Sequence, residues 1–138
     1  MKSPIEDALL IRRNMNRSIV FRLFRNGVDD TSPAVVHQFA DAIRDRDFRS
    51  RNGSRSYTRG LHKINVPILV LAGSGDGFVT ESMMQAVHDS VSSPDRELLI
   101  VSKANGYSTN YGHCDLLLGR NSAEEVYPEI LNWLNQRV

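Results

Sequence analysis

Two short apolar runs without polar alternation stand out along the chain, Pro67-Ile68-Leu69-Val70-Leu71-Ala72 and Glu97-Leu98-Leu99-Ile100-Val101. Runs of this kind suit strands covered on both faces of a parallel sheet, here at about 67–72 and 97–102. Between them Thr80 opens a stretch that predicts a capped helix to about Ser90 or Val91, with Met83, Met84 and Val87 facing inward. Ser93-Pro94-Asp95 then turns the chain into the second run. Strand, helix and strand in this order form one βαβ unit, and the fold class expected is α/β.

The flanking sequence reads as helical. Ser3-Pro4-Ile5-Glu6 combines an N-cap, a proline at the first helical position and a glutamate able to close a capping box. It predicts one helix to about Arg25, with Ile5, Leu9, Ile11, Met15, Ile19, Val20, Leu23 and Phe24 forming an apolar stripe and Asn26-Gly27 ending it. Ser32-Pro33 repeats the cap-and-proline signature, opening a helix with Val36, Phe39, Ala40 and Ile43 at helical spacing that fades near Asp47. Residues 48 to 60 are polar with two glycines, a solvated connector with a tight turn at Asn52-Gly53. Ser122-Ala123-Glu124-Glu125 reads as a capping box for a last helix carrying Val126, Ile130, Trp133, Leu134 and Val138 on one side. Pro128 is expected to kink that helix or delay its regular start to about Tyr127.

A chain of 138 residues suffices for one domain with a hydrophobic core. No apolar run approaches the roughly 18 residues of a membrane span, and the first residues lack an apolar signal region, so a cytoplasmic protein is expected. The single cysteine, Cys114, excludes an internal disulfide and a Cys-rich zinc site. The net charge of +1 hides an asymmetry: residues 1 to 60 hold 12 Lys/Arg against 7 Asp/Glu, and residues 61 to 138 hold 5 against 9. A basic half suits nucleic acid, anionic lipid or a solvated helix face. Stacking platforms interleaved with the arginines are not read in the sequence, so no nucleic acid partner is expected.

A right-handed crossover would bring the carboxyl ends of the two strands together, and with them Asp76 and His113. A carboxylate on one imidazole nitrogen fixes the tautomer and leaves the other nitrogen to take a proton. Gly73-Ser74-Gly75-Asp76-Gly77 fits neither common phosphate-binding pattern, and Asp76 would repel a phosphate. His113-Cys114-Asp115 are consecutive and cannot easily converge on one ion, so neither metal nor cofactor is expected. His62 reads as a surface or half-buried structural residue. No nucleophile is evident: Ser74 shares a loop with Asp76, Ser54 lies in the polar connector, and Cys114 adjoins His113.

Val66-Pro67-Ile68-Leu69-Val70-Leu71-Ala72-Gly73-Ser74-Gly75-Asp76, followed by Tyr111-Gly112-His113-Cys114-Asp115 and a closing amphipathic helix, resembles the C-terminal third of an α/β-hydrolase. The resemblance covers about residues 61 to 138 and leaves residues 1 to 60 as cap- or lid-like helical material. It implies a partial α/β-hydrolase fold with Asp76 as the acid that orients His113, and His113 as general base and acid, in hydrolysis of a small ester or related acyl substrate. The nucleophile elbow G-x-S-x-G and the oxyanion-hole loop of that family are not found in this sequence. The first strand would then keep an open edge, expected to be covered by a second copy or by a polypeptide carrying the upstream half. The alternative is a non-catalytic interaction or remnant domain.

Overall fold

The chain is described by a computed structural model over residues 4–27 and 29–137, so Ser3 as a helix cap and Val138 as an apolar position lie outside the described residues. Strand β1 (Ile68–Gly73) pairs in parallel with β2 (Arg96–Val101), in register from Ile68 opposite Arg96 to Gly73 opposite Val101. Each strand is displaced by one residue from its expected span. The crossover helix, α4 (Glu81–Ser90), is capped by Thr80, whose Oγ1 accepts from Met83 N at 3.3 Å, and packs on both strands. The protein is thus a mixed α/β fold around a two-stranded parallel sheet.

The strands are not buried on both faces. Val70, Ala72 and Val101 are buried, whereas Ile68, Leu69, Leu71 and Leu98 to Ile100 are only half-buried. Two strands and one crossover helix cannot enclose a sheet, and the apolar runs anticipate more cover than the described residues provide. Met83, expected to face inward, is likewise exposed; Met84 and Val87 supply the inner face of α4.

The N-terminal stretch is not one helix. It divides into α1 (Pro4–Leu9), a 3₁₀ turn (Arg12–Asn14) and α2 (Arg17–Asn26). Backbone groups that a continuous helix would bond internally are diverted to distant loops. Ala8 O accepts from Gly77 N at 3.2 Å, Leu9 O from Cys114 N at 2.8 Å, and Asn14 O from Arg120 N at 2.7 Å. Ile11 N donates to Asp115 Oδ1 at 2.9 Å. Around this break Leu10, Met15 and Val20 form a small core with Ile19, Leu23, Phe24 and Cys114.

The second helix begins as expected. In α3 (Pro33–Asp45) Ser32 Oγ accepts from Ala34 N at 3.3 Å, and the helix ends at Arg46, which adopts a left-handed backbone with φ 51°. Its apolar face is not covered: Val36, Phe39 and Ile43 are exposed. Phe39 instead stacks on Phe48, with centroids 5.8 Å apart, and Phe48 on Tyr57 at 5.5 Å. The connector between them folds back through a bridge from Arg49 to Ser56, around a tight turn in which Gly53 has φ +70°.

The C-terminal part continues as α5 (Asp115–Leu118), α6 (Ser122–Glu125) and α7 (Tyr127–Asn135). Pro128 sits in the first turn of α7, where its missing N–H removes no bond, and the helix starts at Tyr127 as expected. Ser122 is not a cap. It is buried and donates its Oγ hydrogen to Asp115 O at 2.8 Å, because the chain reverses from α5 into α6 too tightly for a free N-cap. Leu134 stays exposed, while Val126 joins Val101, Tyr111 and Leu116 in the main core.

Asp115 is wholly buried and accepts from Ile11 N, Gly112 N and Asn14 Nδ2. Its replacement by Ala would take this acceptor from Gly112 N, from half-buried Ile11 N and from Asn14 Nδ2, which keeps only Asn110 O, an expected loss of about 3 kcal/mol or more. Urea unfolding followed by circular dichroism measures this, and a loss below about 1 kcal/mol would contradict the role given to Asp115.

Candidate active site

The exit of β1 is a tight turn closed by an aspartate. Asp76 Oδ1 accepts from Phe78 N at 2.8 Å and Val79 N at 2.9 Å, so the local backbone holds the carboxylate before any tertiary contact forms. Its second oxygen, Oδ2, lies 2.9 Å from His113 Nδ1. The Asp76 side chain is 7% exposed and that of His113 is 48% exposed. No described residue makes a hydrogen bond to His113 Nε2, and the Phe78 ring lies beside the imidazole with centroids 6.1 Å apart. The acid is therefore enclosed on one side of the ring, and the other nitrogen has no hydrogen-bond partner among the described residues.

Glycines let the two loops close on each other. A Cβ on Gly73 would meet Tyr111 O at 2.3 Å, and one on Gly75 would meet Ile11 Cδ1 at 2.4 Å. Gly75 N donates to that same Tyr111 O at 2.7 Å, and Ser74 N to Val101 O at 3.2 Å. A Cβ on Gly112 would lie 2.7 Å from Asp115 Oδ1. The glycine-rich stretch after β1 thus admits neighbouring backbone and the Ile11 side chain.

Asp115 and Asn14 are the residues that sequence reasoning missed. Asn14 Nδ2 donates to Asp115 Oδ2 at 2.6 Å and to Asn110 O at 2.7 Å, and Gly112 N donates to the same carboxylate oxygen at 3.0 Å. These bonds fix the loop on both sides of His113. The sequence carried one signal, an aspartate two residues after the histidine, which was weighed only as a metal ligand and set aside. Among the described residues no group of three His, Cys, Asp or Glu could hold a metal ion.

None of the candidate nucleophiles meets the histidine. Ser74 Oγ is buried without a hydrogen-bond partner. Ser54 Oγ donates to Asn52 Oδ1 at 2.7 Å in the distant connector. Cys114 is half-buried against the Leu10, Met15 and Val20 core. His62 is exposed at the end of the connector, with Nδ1 against Arg59 O.

Chemically, the pair is an oriented proton acceptor whose second nitrogen makes no hydrogen bond among the described residues. No family model, curated protein or solved structure matches the chain. Among the described residues no helix is long and apolar enough to cross a membrane.

The Cys114 thiol is pushed up from its ordinary range, first by burial and then by the nearby Asp115 and Asp76 carboxylates. A raised value means less thiolate at a given pH, so alkylation by iodoacetamide at pH about 8 is expected to run several-fold slower than for an exposed cysteine. Mass spectrometry over time measures the rate, and labelling as fast as in a short Cys peptide would contradict the placement of this side chain.

Proposed function

We propose that this chain supplies the acid and the base of a Ser-His-Asp acyl hydrolase, in an arrangement like the C-terminal part of an α/β-hydrolase. The observation that carries the proposal is the 2.9 Å contact of Asp76 Oδ2 with His113 Nδ1, with Nε2 left without a hydrogen-bond partner among the described residues. The order of parts supports it as well: strand, acid loop, helix, strand, histidine loop and closing helices. In this reading Nε2 takes the proton of a serine hydroxyl as the serine attacks an ester or related acyl carbon, then returns it to the leaving group. Asp76 stabilises the imidazolium formed in between.

The serine comes from another polypeptide segment bearing a strand, a G-x-S-x-G elbow and an oxyanion hole. Its seat is the edge of β1 that has no strand partner among the described residues. A second copy of this chain is the other candidate for that edge. The substrate is a small-molecule ester, the reaction uses no metal or cofactor, and its setting is the cytoplasm. A second reading, a non-catalytic interaction domain, is favoured by the exposed Val36, Phe39 and Ile43 face of α3 and by the unpartnered Nε2. In that reading the same surfaces bind a partner without a reaction.

Tagged chain captured from its native cells, with whatever it retains, tests the first reading against the second. The expected result is a co-purifying polypeptide labelled by a fluorophosphonate probe, with aryl-ester turnover that falls by about 10³-fold or more in His113→Ala and Asp76→Asn. Turnover indifferent to both substitutions, or the absence of any labelled serine in the captured material, would count against a hydrolase.

A further inference from the structure

We infer that the outer face of α2 is a docking surface for anionic lipid bilayers, a property independent of the Asp76 and His113 reading. Between Asp7 and Asp29 the sequence holds five arginines, at 12, 13, 17, 22 and 25, and no carboxylate. The inner face of α2 is committed to the core through Val20, with Ile19, Leu23 and Phe24 half-buried beside it. The outer face presents Phe21, which is 63% exposed, with the Arg25 guanidinium 5.9 Å from its ring centre. Arg12, Arg17 and Arg25 share a cleft of about 520 Å³ with Phe21, half-buried Phe24 and buried Val20, so Phe21 is its exposed apolar group. Arg12 is paired with Glu6, while Arg17 and Arg25 have no carboxylate partner among the described residues.

A cationic rim above an exposed aromatic wall fits the boundary between lipid headgroups and acyl chains. Guanidinium groups meet phosphate and carboxylate at headgroup depth, and a phenyl ring lies just below them. Two other occupants fit less well. Phe21 and Phe24 do interleave with arginines, which the sequence reading overlooked, but Phe24 is held in the core, so Phe21 is a single platform and not the row that single-stranded nucleic acid needs. A second copy of the chain would have to offer a matching acidic face. In its acidic half Asp76, Asp89, Asp95, Asp115 and Glu125 are already engaged, and Glu81, Glu97, Glu124 and Glu129, which make no ion pair among the described residues, lie on four different elements.

Co-sedimentation of the full chain with sucrose-loaded vesicles tests the inference, using phosphatidylcholine alone and phosphatidylcholine with about 30% phosphatidylserine. Binding to the anionic vesicles is expected to be at least about tenfold tighter than to neutral ones and to weaken strongly between about 0.1 M and 0.5 M salt. R17Q/R25Q should reduce it by about tenfold or more and F21A by about fivefold, whereas R44Q/R59Q, on the remote α3 and connector, should leave it unchanged. Circular dichroism establishes that each variant is folded. No preference for anionic vesicles would overturn the inference, as would full binding by R17Q/R25Q or tighter binding to a single-stranded oligonucleotide than to the vesicles.

Discussion

A carboxylate with no exposed surface, Asp115, joins parts of the chain that lie about a hundred residues apart. It accepts from Ile11 N and Asn14 Nδ2 on the N-terminal segment and from Gly112 N in the histidine loop. A buried charge is tolerated only when donors surround it, and these three supply that environment. The consequence reaches the candidate site. The bonds hold the peptide on one side of His113, while Leu9 O takes Cys114 N on the other. With that loop fixed from beneath, the imidazole is presented to Asp76, which is itself fixed by the N–H groups of Phe78 and Val79. Neither member of the pair depends on the other for its placement, which is the condition for a preorganised base.

What was legible in the sequence follows from how local the determining physics is. The strands, the Thr80 and Ser32 caps, the turn at Gly53 and the start of α7 at Tyr127 are each set by residues within a few positions, and each stands where the residue pattern puts it to within about one position. The meeting of Asp76 and His113 was legible too, because a right-handed crossover fixes which strand ends are neighbours. The break in the N-terminal helix was not. Its apolar spacing continues through Ile11 and Met15 as if helical, and only the competition from Asp115, Gly77, Cys114 and Arg120 for its backbone groups interrupts it. Ser122 was misread for the same reason: its hydroxyl serves Asp115 O, an acceptor that the local sequence does not reveal.

The apolar runs of β1 and β2 promise more burial than the sheet provides. Half-buried leucines on both strands and the uncovered faces of α2 and α3 make this a fold with unusually little enclosed surface for its apolar content. The surplus is divided by chemistry. On α2 it lies among arginines without a carboxylate partner among the described residues; on α3 it lies beside arginines already bound to Asp41, Asp45 and Asp47. The edge of β1 offers backbone hydrogen bonds in place of charge. Surfaces of such different character suit different partners, and the strand edge, the continuation of the sheet that carries Asp76, is the one tied to the proposed reaction.

The 2.9 Å contact of Asp76 Oδ2 with His113 Nδ1 calls for the proton on Nδ1 and leaves Nε2 as the free base. Long-range ¹⁵N–¹H correlation spectra of the histidine rings read this directly. The structure predicts that neutral His113 is the Nδ1–H tautomer and that Asp76→Ala shifts it toward the Nε2–H form usual for an unconstrained imidazole. An Nε2–H tautomer in the unaltered protein, or a tautomer indifferent to the loss of Asp76, would show that Asp76 does not orient the ring.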